Sequence, residues 1–338
     1  MLLAGDIGGT HTRLALFSAP ESVRAPAHMR EFPSDKYAGL ADVIRAFLAE
    51  VGERPSIACF DVAGPVSDGR AHLTNLPWLI DEAVLARDLG LAEVSLINDL
   101  KAVAYAVPHL RDEELRVINA GRAEPHGPLA VLAPGTGLGE AFLVWNGGEY
   151  LACASEGGHA DFAPVDALQG ALREYLARKF DHVSYERVCA GSAIPGLYAF
   201  FRAREPHLEP ASFAAALAQT NDPAPAIVEA ALEAGGKNRL AEAAIDLYIS
   251  VLGAEAGNLA LKILSTGGLY LAGGMPPRVL PRLCDGRFMR AFTAKGRFAE
   301  LLGAIPVKVV MAGAGLLGTA LYGFDRIGKG AASARQSD

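Results

Sequence analysis

The chain opens on an apolar run, Met1 to Ala4, which passes through Gly5-Asp6-Ile7-Gly8-Gly9-Thr10 into a second segment, His11 to Leu16, with alternating apolar residues. Apolar run, glycine turn and alternating run predict a hairpin entered from a buried strand. Residues 37–51 then place Leu40, Val43, Ile44, Phe47 and Leu48 at helical spacing, which predicts a helix with one apolar face. Residues 56–62 read as a buried strand stopped by Ala63-Gly64-Pro65, residues 71–78 as a short excursion, and residues 81–89 as a helix. A further strand over 94–97 stops at Asn98-Asp99, before a helix over 100–107. Strands alternating with helices predict an α/β fold with a mainly parallel sheet covered by helices. Ligands of such sheets lie beyond the carboxyl ends of strands, where Asn98 and Asp99 stand.

Polar residues 111–127 read as a crossing between domains. Residues 129–145 repeat the opening template, apolar strand, glycine turn, apolar strand; with Gly135 placed on Gly8, Ala133 takes the place of Asp6. Only the first copy then offers a carboxylate to a metal. The pairing of two phosphate-type turns suggests two lobes closing on one nucleotide. A loop follows at Ser155-Glu156-Gly157-Gly158-His159-Ala160-Asp161-Phe162, then helices over 167–179, 185–189, 194–204, 211–218 and 241–264. Strands over 268–274 and 306–311 and a last helix over 315–322 complete the pattern, the last helix packing back on the first domain. The expected division is a small α/β domain over 1–110 with about 300–325, a large α/β domain over 111–299, and a frayed polar tail over 326–338.

Length and composition narrow the function classes. At 338 residues, two domains are expected. The net charge of −7 argues against a nucleic-acid or anionic-membrane partner, though backbone N–H groups can still hold a small anion. Cys59, Cys153, Cys189 and Cys284 have no paired spacing and imply neither a disulfide framework nor a metal knuckle. No leader-like pattern precedes the first strand, so a cytoplasmic enzyme is expected. The apolar stretch 241–264 carries Glu242, Asp246, Glu255, Asn258 and Lys262, which suits a core helix and not a membrane span.

Several residue groups carry candidate chemistry. Gly8 and Gly9 allow unusual dihedrals and close backbone approach to an anion, Thr10 adds a hydroxyl, and Asp6 can hold the metal of a phosphate; the alternative is a tight hairpin whose glycines serve only the turn. Asp99 is fixed at a strand end, as a general base must be, or else is the N-cap of the next helix. Glu156, His159 and Glu186 together suit a ring of sugar hydroxyls, while singly each reads as an ordinary loop or helix residue. Gly313-Ala314-Gly315-Leu316-Leu317-Gly318 spells a dinucleotide fingerprint, but only 20 residues follow it, too few for the second strand and ribose-binding acid. Close packing of the last helix is the better reading, and no P-loop motif occurs.

With these residues in view, the chain resembles the bacterial glucokinases of the proteobacterial type, within the sugar kinase, Hsp70 and actin superfamily. The resemblance runs over nearly the whole chain, through Gly5 to Thr10 with Arg13-Leu14-Ala15, Ala63-Gly64-Pro65-Val66, Thr74-Asn75-Leu76 with Trp78, and Ile97-Asn98-Asp99. It continues in Pro134 to Gly139, Glu156 to Pro164, Ser184 with Glu186-Arg187-Val188, Leu271 to Gly274, and Lys295-Gly296-Arg297-Phe298. It implies a two-lobed actin-like ATPase (ribonuclease H-like) fold, with mixed sheets covered by helices and a cleft between the lobes. It implies a cytoplasmic, Mg-dependent kinase, often a homodimer, that phosphorylates glucose or a related hexose with ATP. Asp99 would deprotonate the sugar 6-hydroxyl, and Asn98, Glu156, His159 and Glu186 would bind the others. ATP phosphates would lie at Gly5, Asp6, Ile7, Gly8, Gly9 and Thr10 and at Gly135, Thr136 and Gly137, and adenosine near Gly273 and Gly274. Asp6 would organise Mg, through water. Zinc is not expected, because the clustered cysteines of the related repressor and kinase family are absent. His11, Leu100, Glu140 and Ala190-Gly191 depart from the family pattern. Of these, His11 and Glu140 stand beside the phosphate turns and are expected to bear on ATP binding or its pH response. A sugar sensor or a non-phosphorylating paralogue on the same fold is the alternative.

Overall fold

The computed structural model describes residues 1–73, 76–233, 236–311 and 313–336, with side chains through residue 326. The chain divides into two compact units. One comprises Met1–Arg111, Glu149–Ala154 and Ala312–Asp338, the other Asp112–Gly148 and Ser155–Met311.

The first unit is built on strands β1 (Leu2–Ile7), β2 (His11–Phe17), β3 (His28–Pro33), β4 (Ile57–Val62) and β5 (Glu93–Asn98), in the order β3-β2-β1-β4-β5. β1 runs antiparallel to β2 and parallel to β4, and β4 parallel to β5, so the sheet is mixed and not mainly parallel. β1 is apolar on both faces because both are covered. Leu3 and Ile7 pack with Leu40, Val43, Ile44 and Phe47 of helix α1 (Leu40–Val51). Leu2 and Ala4 face the other way, toward Ala102 of the helix Asp99–Ala106 and Ala320 of the closing helix Ala314–Gln336. The Gly313 to Gly318 motif acts here: a Cβ on Gly318 would fall 1.8 Å from the Ala102 carbonyl oxygen, so the glycine lets two helices touch. The excursion after β4 is a small antiparallel sheet of Val66–Ser67, Arg70–His72 and Leu79–Asp81. Thr74 and Asn75, named in the family pattern, lie outside the described residues. The backbone helix reaches Gln336, so most of the tail expected to fray is helical; Ser337 and Asp338 lie outside the described residues.

In the second unit, β6 (Leu115–Asn119), β7 (Leu129–Pro134), β8 (Leu138–Trp145), β9 (Gly268–Leu271) and β10 (Val307–Val310) are ordered β8-β7-β9-β10-β6. β6 lies inside the segment expected to be a bare crossing. It is an antiparallel edge strand on β10, and its polar residues hide the strand pattern. β10 pairs in parallel with β9, which keeps residues 307–310 in the second unit; the chain returns to the first at 312 and not at about 300. The long helix Arg239–Ile263 forms the spine of this unit's core, and 78% of its most apolar window is buried. The helix Ala224–Leu232, which the sequence pattern does not single out, packs against it.

Candidate active site

The first hairpin joins Ile7 to Thr12, which are cross-strand partners. Its geometry differs from the expectation in two ways. Neither Gly8 nor Gly9 has a positive φ, so the turn uses their missing side chains and not left-handed backbone. A Cβ on Gly8 would lie 2.9 Å from the His11 carbonyl oxygen, to which the Gly8 N–H also donates at 3.0 Å. Gly5 is inside β1, where Leu14 and Phe60 leave no room for a Cβ, so it packs the sheet behind the turn. Buried Ser34 braces the turn: its hydroxyl donates to the Gly8 carbonyl at 2.9 Å and its N–H to that of Thr10 at 2.9 Å. His11 opens β2 on the exposed side, and its neighbour Arg13 pairs with Glu31 and lowers that carboxyl.

Asp6 meets Asp61 because β1 and β4 run parallel with these two residues as direct partners. Asp61 is 1% exposed and accepts the Thr319 hydroxyl at 2.5 Å. Burial raises both carboxyls, that of Asp61 far above the usual carboxylate range with further help from the Asp6 charge. Arg13 opposes the rise at Asp6 from 4.0 Å and also pairs with Glu31 at 2.7 Å. Gly315 backs the pair, a Cβ there falling 3.6 Å from Asp6 Oδ2 and 3.9 Å from Asp61 Oδ2. Nothing in the local pattern singles out Asp61; the signal is the parallel register.

Asn98 ends β5 and is itself the N-cap of the following helix, its Oδ1 accepting the Lys101 N–H at 3.0 Å. Asp99 is therefore the first helical residue and not the cap. Its Oδ1 accepts the Leu100 N–H at 2.7 Å and the Asn98 amide at 2.9 Å. The Asn98 amide also donates to the Gly64 carbonyl at 3.1 Å, so both of its N–H donors are engaged and only oxygen capacity remains for a sugar hydroxyl. Ala63-Gly64-Pro65 thus helps to hold Asn98, which orients Asp99.

In the second hairpin Pro134 pairs with Leu138 around Gly135, Thr136 and Gly137, one residue fewer than in the first. Two supports fix it. The Gly135 carbonyl accepts the Gly191 N–H at 2.7 Å, and Glu186 Oε2 accepts the Leu138 N–H at 3.0 Å. A Cβ on Gly137 would lie 2.5 Å from that oxygen, so Glu186 binds the turn directly. Gly273 (φ +81) approaches the Pro134 carbonyl so closely that a Cβ would fall 2.7 Å from it, and Gly274 caps the helix Met275–Arg278.

Glu156 leads into the turn Gly157–His159, with His159 Nε2 3.8 Å from Glu156 Oε2 on the exposed side. Backbone bonds stitch this loop to the segment carrying Glu186: Phe162 N–H to Val183 O at 2.9 Å and Tyr185 N–H to Ala160 O at 3.0 Å. His159 and Glu186 accordingly line one depression, with Ser184, His182 and Arg187. Glu140, expected beside the phosphate turn, is buried in another place. Strand alternation turns it under the Gly157–His159 loop, and burial with the charge of Glu255 raises its carboxyl to about 7.

A protein-family model described as Glucokinase matches residues 3–325. The chain belongs to the glucokinase family. A glucokinase of a Nostoc species is 42% identical over 337 residues, covering 95% of this chain and 98% of that protein. The glucokinase of Chromobacterium violaceum is 35% identical over 309 residues, covering 91% of this chain and 84% of that protein. Among solved structures, a glucokinase from an Antarctic psychrotroph superposes with a TM-score of 0.79 at 33% identity, covering 96% of this chain and 98% of its own. A ROK-family glucokinase from Streptomyces griseus, solved with glucose and AMPPNP, has the same fold, with a TM-score of 0.65 at 19% identity over 96% of this chain and 99% of its own. The fold is therefore the actin-like ATPase fold of the sugar kinases, and the family's activity, ATP-dependent phosphorylation of glucose, is that of this chain.

Proposed function

We propose that Asp99 is the general base that takes the proton of the glucose 6-hydroxyl as the γ-phosphoryl group of ATP is transferred, giving glucose 6-phosphate and ADP. The observation that carries this reading is the way Asp99 is held. It stands at the end of a buried parallel strand, first in a helix whose N-terminal partial charge favours a carboxylate, with Oδ1 bound by two donors. A base fixed in this way accepts a proton with little reorganisation, and phosphoryl transfer otherwise asks mainly for positioning and charge neutralisation. Glu156, His159 and Glu186 would bind the remaining sugar hydroxyls, with Asn98 accepting a hydroxyl while it orients Asp99. The phosphates of ATP would lie at the Gly8-Gly9-Thr10 and Gly135-Thr136-Gly137 turns, and adenosine near Gly273 and Gly274.

The donor chemistry suits Mg2+. Asp6 offers a half-buried carboxylate oxygen, and no group of three or more ligating side chains occurs among the described residues. Mg2+ keeps several waters and commonly takes one or two carboxylates together with substrate phosphates. Asp6 would hold it, directly or through water, and the ion would neutralise phosphate charge. The family resemblance further supports a cytoplasmic homodimer, which sedimentation of the purified chain checks.

Glucose-dependent ADP release by Asp99→Asn tests the reading. Turnover should fall by about a thousandfold or more, with glucose still binding by calorimetry. A variant that keeps most of its turnover would remove Asp99 as the base. Loss of glucose binding with turnover per bound sugar intact would make it a sugar contact only.

A further inference from the structure

Glu140 of β8 and Glu255 of the long helix are buried together, 1% and 0% exposed. Oε1 of each is buried without a hydrogen-bond donor, although the Lys262 ammonium stands 3.6 Å from that of Glu255. Glu255 Oε2 accepts the Asn258 amide at 2.8 Å, the same amide donates to the Tyr185 hydroxyl at 2.9 Å, and Lys295 Nζ donates to Asn258 Oδ1 at 2.6 Å. Glu255 acts on the Glu140 carboxyl through its charge and through a side-chain hydrogen bond, and a single proton, carried by one carboxyl and accepted by the other, satisfies oxygens that have no other donor. Burial raises the Glu255 carboxyl as well, but the Asn258 amide, Lys262, Tyr185 and Lys295 all oppose that rise, which makes Glu255 the ionised partner and leaves the proton on Glu140. The rise of the Glu140 carboxyl to about 7, caused by burial and then by the Glu255 charge, agrees with that assignment.

The pair touches the loop that presents Glu156 and His159. A Cβ on Gly157 would lie 2.1 Å from Glu140 Oε2, and one on Gly158 would lie 2.0 Å from the Leu138 carbonyl oxygen. The loop thus rests on the Glu140 carboxyl at one residue and on the β8 backbone at the next. Ser155 Oγ accepts the Gly157 N–H at 3.0 Å, which fixes the approach from the other side. If the proton leaves, two like charges face each other where water is scarce, and the cheapest relief is for Glu140 to move against Gly157.

We propose that Glu140 and Glu255 share one proton beneath the Gly157–His159 loop and together position it, so that loss of this proton as the pH rises displaces Glu156 and His159 and weakens glucose binding. Glu140 is then a positioning residue. The inference rests on the reading of Glu156 and His159 as sugar contacts. The titratable groups that face the pair are Lys262 of the long helix, Lys295, and Tyr185 and Cys189 of the segment beside the loop, while Glu156 and His159 stand exposed on the loop itself.

Glucose binding without nucleotide, followed by calorimetry from pH 6 to 8.5, tests it in the full chain. Wild type should lose about tenfold in affinity over that range, the loss expected when sugar-bound and sugar-free protein hold the shared proton with about tenfold different affinity. Glu140→Gln donates an amide hydrogen to Glu255 at every pH and leaves His159 in place; it should hold the affinity that wild type has at pH 6. A wild-type affinity that does not change, or a Glu140→Gln profile with the wild-type slope, would overturn the proposal. Glu156→Ala at pH 6 separates the two failures: unchanged glucose affinity there removes the sugar-contact reading, whatever the behaviour of Glu140. Amide hydrogen exchange of residues 155–160 in sugar-free wild type needs no variant. Protection, corrected for intrinsic exchange, should drop between pH 6 and 8.5, and constant protection would overturn the shared proton.

Discussion

Each of the two units holds a pair of neighbouring carboxyl groups, one beside the first glycine hairpin and one beneath the Gly157–His159 loop, and the pairs differ in what surrounds them. Beside the hairpin, Asp6 and Asp61 meet across parallel strands, with Thr319 donating to Asp61 from the closing helix and Arg13 beside Asp6. Beneath the Gly157–His159 loop, Glu140 and Glu255 meet between a strand and the long helix, and the cations and amide gather on Glu255. The first pair keeps one carboxylate half-exposed, beside a turn with no side chains at Gly8 and Gly9, which suits the phosphate and metal proposed there. The second is closed off by the loop that carries Glu156 and His159. Two carboxyl pairs of similar make-up thus differ in access: one leaves an oxygen open beside a glycine turn, and the other is sealed beneath a loop.

The largest expected effect concerns the support of the first pair. Gly318→Val places a side chain where the Ala102 carbonyl stands 1.8 Å from a Cβ, and should cost about 3 kcal/mol or more in chemical denaturation. A near-neutral result would mean that the closing helix is not locked against its neighbour, and the first pair would lose its rigid backing.

Next comes the second pair. The Glu140 carboxyl is raised from 4.5 to about 7 on folding, so its contribution to stability is fully present below the unfolded value and is lost as the pH climbs through about 7. Wild type should lose about 2–3 kcal/mol more than Glu140→Gln between pH 5 and pH 8 in urea unfolding. Parallel pH profiles for the two proteins would break the contrast with the first pair. The smallest effect is expected at Thr319→Val, which removes the hydroxyl donor to buried Asp61 and should cost about 1–2 kcal/mol at neutral pH. No change would mean that Asp61 finds its hydrogen bond from another donor.

Both hairpins, their order and the strand end at Asn98-Asp99 were legible in the sequence, because apolar periodicity and glycine turns are local signals. The acid pairs were not. Asp61 meets Asp6 only because β4 lies parallel to β1 in one register, and Glu255 reads from sequence as a charge that merely rules out a membrane span. Glu140 looked like part of a phosphate turn because it follows Gly139; strand alternation carries its side chain away from the turn and beneath the loop. Glu186 read as a sugar contact on an exposed helix, and its grip on the Leu138 N–H became visible only when residues 48 positions apart were brought together. The turn at Gly8 and Gly9 was legible, but close approach and not positive φ requires Gly8, and Gly5 packs the sheet behind it.

The central claim is a division of labour, in which the first hairpin serves nucleotide and metal and the loop over the second pair serves sugar. Calorimetric binding of glucose, and separately of a non-hydrolysable ATP analogue with Mg2+, to Asp6→Asn and Gly157→Ala tests it most directly. Asp6→Asn should weaken the analogue by about tenfold and leave glucose unchanged. Gly157→Ala, whose new Cβ falls 2.1 Å from Glu140 Oε2, should weaken glucose by about tenfold and leave the analogue unchanged. Equal losses of both ligands in both variants would contradict the account.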